Sequence, residues 1–567
     1  MFSAHTAIRR GAAVLLTAVV AAVLSGCVSI PTSGPVNQGI ALNAGQGAAN
    51  FEFNPEGPQK GATPQNILTG FVAAFTSASG SYAVAKQFLT PGFAATWNPR
   101  QSVQVRSGAP RVSEFSSTSI SYSYDSIASV DASGAYREAN QPQTMQFGFT
   151  KQNGQWRISA APSGIVVPFE IFRRVFSQHE IYFFDLTSER VVPDVRWYPS
   201  GTAATRIVAA LLAGPPLWLS KAVRTAFPDG TRLSDVGSVI TIINGVARVD
   251  LTKEALLASP KERALMHLQL TASLSSVANI SSVTMSVDGI TLSVTEVTSD
   301  ALQADTKVDS QPLVYSDGEF GFYGANKVAA LPQLSAKVSA LQPRAATLSS
   351  DGRTVAVLGT AGVSVVRVST LLAKLLDPRA KLIAPSIDEY GFVWSVPANE
   401  PNALRVFDET DGVHNVFAGL PLDANIVSLE VSRDGARVAI LLAAATGPRL
   451  IVAAIIRDAG NRLNPVSLGL PIVDTSVAGG AAVGATWVDA LTVAVLLNTG
   501  NQSTVESFTI GGQRSNLGTS LPASRAIVGG NGLEGLRVLA SDSTVFSYGN
   551  STWQSNRATV DFIGTQR

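Results

Sequence analysis

The sequence predicts a multidomain fold of two α+β domains followed by an all-β propeller of about five or six blades. Three observations predict it. Helix-forming segments precede hairpin-forming segments twice between residues 63 and 300, which is the order of an α+β domain. From residue 301 onward these give way to short strands and tight turns. Within that stretch Ala346–Val357 has a near copy in Ser428–Ala439, and the copies stand about two units of 40–45 residues apart, a propeller period. A length of 567 residues suits roughly three domains.

Charged residues make up 15% of the chain and net charge is +1. No basic footprint for nucleic acid is present, so nucleic acid is not an expected partner. The 46% hydrophobic content is enough for large cores.

Residues 1–26 read as a signal peptide. Arg9 and Arg10 form a basic start, Ala12–Val23 an apolar run, and small residues precede the chain's single cysteine. The run is too short to span a bilayer core of about 30 Å. Leu24-Ser25-Gly26-Cys27 looks like a bacterial lipobox. That resemblance implies diacylglycerol on the Cys27 sulfur, cleavage between Gly26 and Cys27, and possible acylation of the new amine. Two or more acyl chains anchor stably where one is marginal. A lone cysteine can form neither an internal disulfide nor a cysteine metal cluster. The expected location is the outer face of the cell membrane, with Cys27 as the anchor. Residues 27–62 carry that cysteine and then Gly, Asn, Pro, Ser and Ala without sustained periodicity, and read as a flexible tether. Two later apolar stretches, Val438–Ile456 and Val477–Leu497, are interrupted by turn residues and read as buried strand pairs.

The first α+β domain spans 63–175. Thr63 and Pro64 open a helix whose apolar face carries Ile67, Leu68, Phe71, Val72 and Phe75. A second short helix covers Tyr82–Leu89 and is expected to end near Pro91-Gly92. Strands are expected at Ser119–Ile127, Gln143–Lys151 and Gln155–Ala160, with Asn153-Gly154 as a hairpin turn. The run Phe147–Ile158 resembles the last hairpin of NTF2-like domains.

The second α+β domain spans 176–300. Thr202 is expected to cap a helix carrying Ile207, Val208, Leu211 and Leu212, stopped by Gly214-Pro215-Pro216. Asn244-Gly245 joins two strands, and Ser259-Pro260-Lys261-Glu262 reads as a capping box. Val283, Met285 and Val287 alternate, Asp288-Gly289 turns, and Ile290, Leu292 and Val294 alternate back. Three blocks, Ala210–Pro215, Phe227–Leu233 and Val246–Leu251, resemble a GerMN domain. That family is viewed as a binding or assembly module and brings no catalytic residues.

Residues 301–567 form the propeller. Asp351-Gly352 and Asp434-Gly435 mark strand turns, where Asp bonds its own following backbone. Weaker members fall near Asp317, Asp388, Asp489 and Asp542. A strand near Gln311–Ser316 is expected to pair with the C-terminal residues and close the ring.

The four histidines, His5, His179, His267 and His414, lie in separate segments, and no paired metal-ligand spacing, nucleophile elbow or P-loop occurs. Adjacent acids such as Asp388-Glu389 are poor acid/base partners because neighbours on a strand face opposite ways. No enzyme, metal or cofactor is expected. The order of leader, NTF2-like, GerMN-like and propeller segments, with Val195-Arg196-Trp197-Tyr198-Pro199, resembles the LpqB family of actinobacterial lipoproteins. The resemblance implies regulation of a sensor histidine kinase, MtrB-like, in an MtrAB-type two-component system of envelope homeostasis and cell division. The alternative is a solute- or cell-wall-glycan-binding lipoprotein, with Trp394, Trp487 and Trp553 as candidate pocket aromatics.

Overall fold

The structure, a computed structural model, describes residues 55–77, 81–234, 239–295, 306–324, 327–460, 463–518 and 520–567. The predicted signal peptide, the lipobox Leu24–Cys27 and most of the tether lie outside the described residues. No helix among the described residues is long and apolar enough to cross a membrane.

The first domain opens with the helix Pro64–Ala73. Thr63 accepts from the Asn66 amide at 3.3 Å, and Pro64 occupies a position whose amide would lack a helical partner anyway. Ile67, Leu68 and Phe71 face inward. Pro91-Gly92 does not end a helix, as expected, but starts one. Thr90 accepts from the Phe93 amide, and Pro91–Thr96 is helical. The signature is that of Thr63-Pro64, repeated. The helices pack on a five-stranded sheet ordered Gln155–Ala160, Tyr136–Gln152, Ser119–Asp131, Ser102–Ser116, Ile165–Pro168. The strand Ser102–Ser116 was not expected, because Ser107-Gly108-Ala109-Pro110 interrupts its alternation. Val103 and Val105 are buried, while the stretch beyond Gly108 is largely exposed. Phe71 packs edge-on against Phe75 at 4.7 Å and lies 5.2 Å from Trp97, filling the space between helices and sheet.

The second domain pairs Phe176–Asp185 with Val191–Pro199, and sets the helices Ala203–Leu212 and Pro260–Leu274 against a second sheet. In that sheet Val246–Leu251 and Ser282–Val287 run parallel, because the helix Pro260–Leu274 carries the chain back between them. Ser259 and Glu262 complete the expected capping box. Thr202 departs from expectation. It precedes the helix but turns its hydroxyl to the Pro199 carbonyl, so no side-chain cap forms. The returning strand is also shorter than its alternation suggested, and Ile290 is 75% exposed.

The third domain is a ring of mainly antiparallel sheets: among the described residues one has eight strands, three have four and one has five. Successive sheets are stitched by side chains. Thr347 donates to the Pro385 carbonyl, Ser386 accepts from the Val431 amide, and Ser428 accepts from the Ala485 amide. Ring closure occurs where expected. Leu313–Ser316 pairs antiparallel with Phe562–Gln566, which also runs parallel beside Ala345–Leu348. Five of the six turn aspartates act as predicted. Asp351, Asp388, Asp434, Asp489 and Asp542 each accept from the amide two residues ahead, at 2.8–3.0 Å. The apolar stretches near 438–456 and 477–497 are strands of this ring.

Candidate functional site

The strand Val191–Pro199 is buried along nearly its whole length, because its own domain, the first domain and the propeller all pack on it. Trp197 donates through Nε1 to the Gly511 carbonyl of the propeller at 2.8 Å, and its backbone amide donates to Gly134 of the first domain at 2.8 Å. Its ring lies 5.1 Å from Phe172 and 5.5 Å from Tyr136. Next to it, Tyr198 donates to the Ser133 carbonyl at 2.7 Å. Gly134 is required for that approach: its φ is +92°, and a Cβ there would stand 2.4 Å from the Tyr198 ring. The Arg206 guanidinium lies 4.5 Å over the same ring and donates to the Ala132 carbonyl at 2.9 Å. Burial pushes the Tyr198 phenol up to about 12, against the pull of Arg196 and Arg206.

A second set of contacts joins the second domain to the propeller. Tyr390 donates to Asp185 at 2.9 Å. Arg457 stacks 4.2 Å over the Tyr390 ring and pairs with Asp388 at 2.7 Å. Arg190 pairs with Glu389 at 3.2 Å, while burial pushes Glu389 above the ordinary carboxylate range. The first domain reaches the propeller directly through Glu138 and Arg514, 3.4 Å apart.

Where the three domains meet they leave a cleft of about 1090 Å³. The first domain lends Arg100, Asp131 and Arg137 to its lining. The second lends Arg196, Arg206 and the loop Pro215–Trp218. The propeller lends Leu470, Ile472 and Gly511. Asp194 is engaged, pairing with Arg196 at 2.6 Å and accepting from Trp218 at 3.4 Å. Leu217 and Leu470 are 81% and 66% exposed.

Comparison with known proteins gives three matches in the same order as the domains. The model for the N-terminal domain of lipoprotein LpqB matches residues 57–173. A sporulation and spore germination model matches 180–293. The model for the LpqB β-propeller domain matches 322–561. The chain belongs to the LpqB lipoprotein family. An LpqB lipoprotein of Nocardia farcinica is 27% identical over 82% of this chain and 83% of its own length. One from Cutibacterium acnes is 31% identical over 52% of this chain. There the chain spans only half of the relative's length. Among solved structures, the first GerMN domain of the sporulation protein GerM from Bacillus subtilis aligns at 21% identity and a TM-score of 0.18, covering 22% of this chain and 97% of that one.

Seen on this LpqB-family fold, two of the blocks that carried the resemblance fall close to the cleft, while Phe227–Leu233 and Val246–Leu251 add nothing to its lining. Val195-Arg196-Trp197-Tyr198-Pro199 is the shared strand, and Ala210–Pro215 ends at the cleft rim. The cleft's arginines and leucines have no local signal, since they come together only when three domains pack. The apolar run after Gly214-Pro215-Pro216 was the one visible hint. Trp394, Trp487 and Trp553 are not part of the lining of this cleft. Each is buried, with its indole donating to Asp388, Glu430 and Leu517 respectively. Among the described residues no group of three or more His, Cys, Asp or Glu side chains is placed to hold a metal.

Proposed function

We propose that this LpqB-family chain is held to the outer face of the cell membrane by lipid on Cys27, and that it regulates an MtrB-like sensor histidine kinase of an MtrAB-type system governing envelope homeostasis and cell division. It acts by binding and does no chemistry. Family membership supports the reading, as does one observation above all: three domains interlock into a single body and build a shared cleft from residues of each. Such a body suits recognition of a protein surface. A tether places binder and receptor on one membrane, which raises their effective concentration. The binder then biases a two-state receptor in proportion to its preference for one state.

The test is kinase autophosphorylation in vesicles bearing the sensor kinase, with the lipidated chain or with the Cys27→Ala chain, which cannot take the lipid. The lipidated chain is expected to shift the rate, and the Cys27→Ala chain at equal amount to shift it far less. An unchanged rate with the lipidated chain overturns the reading.

A further inference from the structure

The cleft between the domains has an imbalance that the fold leaves unanswered. Arg100 donates to Ser81 at 3.0 Å, and Arg206 to the Ala132 carbonyl at 2.9 Å. Arg137, whose backbone is paired opposite Ser129, makes no side-chain hydrogen bond or ion pair among the described residues. None of the three is within salt-bridge distance of a carboxylate among those residues. Asp131, the unpaired acid of the lining, is occupied by the amides of Ser133 and Ala135 at 2.9 and 3.0 Å. The lining therefore carries an excess of guanidinium charge, and burial disfavours the charge on Arg206.

The same cleft exposes Leu217 from the second domain and Leu470 from the propeller. Leucines left in water beside guanidinium groups that have no carboxylate partner fit a ligand that offers both carboxylates and apolar groups. At about 1090 Å³ the space exceeds the usual small-molecule pocket of roughly 300–1,000 Å³. An anionic sugar polymer would satisfy the arginines but leave the leucines wet.

We propose that the three-domain cleft is the docking site for an acidic segment of a partner polypeptide, whose carboxylates meet Arg100, Arg137 and Arg206 and whose apolar side chains cover Leu217 and Leu470. This rests on the reading that the chain acts by binding a protein. It adds the surface and the chemistry of the segment bound.

The test places a photo-crosslinking amino acid at Leu217 or Leu470 of the full chain in living cells, with Leu371 and Leu422 as positions outside the cleft. Adducts are mapped by mass spectrometry. The cleft positions are expected to capture an identified segment rich in Asp and Glu. Arg137→Glu is expected to cut that capture roughly tenfold, the effect of one charge-assisted hydrogen bond. Arg137 is exposed and unpaired, so the reversal leaves packing alone. Adducts of glycan or lipid, capture no greater than at Leu371 and Leu422, or capture indifferent to Arg137→Glu each overturn the proposal. Kinase capture from outside the cleft alone overturns the docking site and leaves the regulatory reading standing. An acidic segment from a protein other than a sensor kinase does the reverse.

Discussion

The indole of Trp197 donates to the carbonyl of Gly511 at 2.8 Å, tying the second domain to the propeller. Gly511 has a φ of +67°, and a Cβ there would stand 2.9 Å from the Cβ of Val195. Gly511→Ala is therefore expected to lower stability by about 1–3 kcal/mol through backbone strain and overpacking. Trp197→Phe keeps most of the ring packing and loses the hydrogen bond, at about 1 kcal/mol. Urea unfolding and limited proteolysis of the junction check both. Wild-type midpoints and cleavage patterns in both variants would remove this contact as a lock between domains.

Asp388 is saturated. Its carboxylate accepts from the amides of Tyr390 and Phe392, from Trp394 Nε1 at 3.0 Å and from Arg457 at 2.7 Å. Both members of the ion pair are buried. Asp388→Ala strands a buried guanidinium and is expected to cost about 3–5 kcal/mol. Combining Asp388→Leu with Arg457→Met is expected to cost less than Asp388→Ala alone. Denaturant midpoints for the single and double variants decide this, and costs that simply add would count against coupling.

His179 gives a pH dependence. It is 4% exposed, and burial lowers its pKa from 6.5 to about 4. The folded state therefore binds its proton less readily than the unfolded state. Stability is expected to fall as pH drops from about 6.5 toward 4, and to be unaffected by this group above that window. The loss is at most about 3 kcal/mol. His179→Gln is expected to flatten the slope, read as the difference in melting temperature between pH 7 and pH 4.5. Equal slopes in the two proteins would assign the acid sensitivity elsewhere.

Removing residues 548–567 deletes the closing strand Phe562–Gln566 and the whole of Thr552–Thr559, the strand before it in sequence. Leu313–Ser316 and Ala345–Leu348 would then present open edges. The expected outcome is insoluble protein, scored by sedimentation after expression. A soluble truncation with a cooperative melt would show that the ring does not depend on closure.

The elements read most easily were those whose cause is local. The capping box at Ser259, the cap at Thr63 and the aspartate turns each need only a few neighbouring residues. Ring closure was legible too, since a propeller leaves an unpaired strand at each end. Thr90-Pro91 is ambiguous in sequence because proline both ends and begins helices, and only the threonine before it marks a beginning. Thr202 failed as a cap because the 3₁₀ turn Ser200–Thr202 offers its hydroxyl a nearer carbonyl. The parallel strands of the second domain and the cleft itself were illegible for a shared reason. They depend on which distant segments meet, and local periodicity carries no record of that.

The closing strand also sets a clock. Gln566 donates to the Gln311 carbonyl at 3.0 Å, across 255 positions of sequence. In the proposed export to the outer face the chain crosses N-terminus first, so Gln566 arrives among the last residues, well after Gln311. Until then Leu313–Ser316 lacks its closing neighbour. The first two domains draw every sheet partner from residues before 295, so they can be complete while the ring is still open. Emerging chains are thus most vulnerable to capture by one another late in their passage, while the final residues have yet to cross.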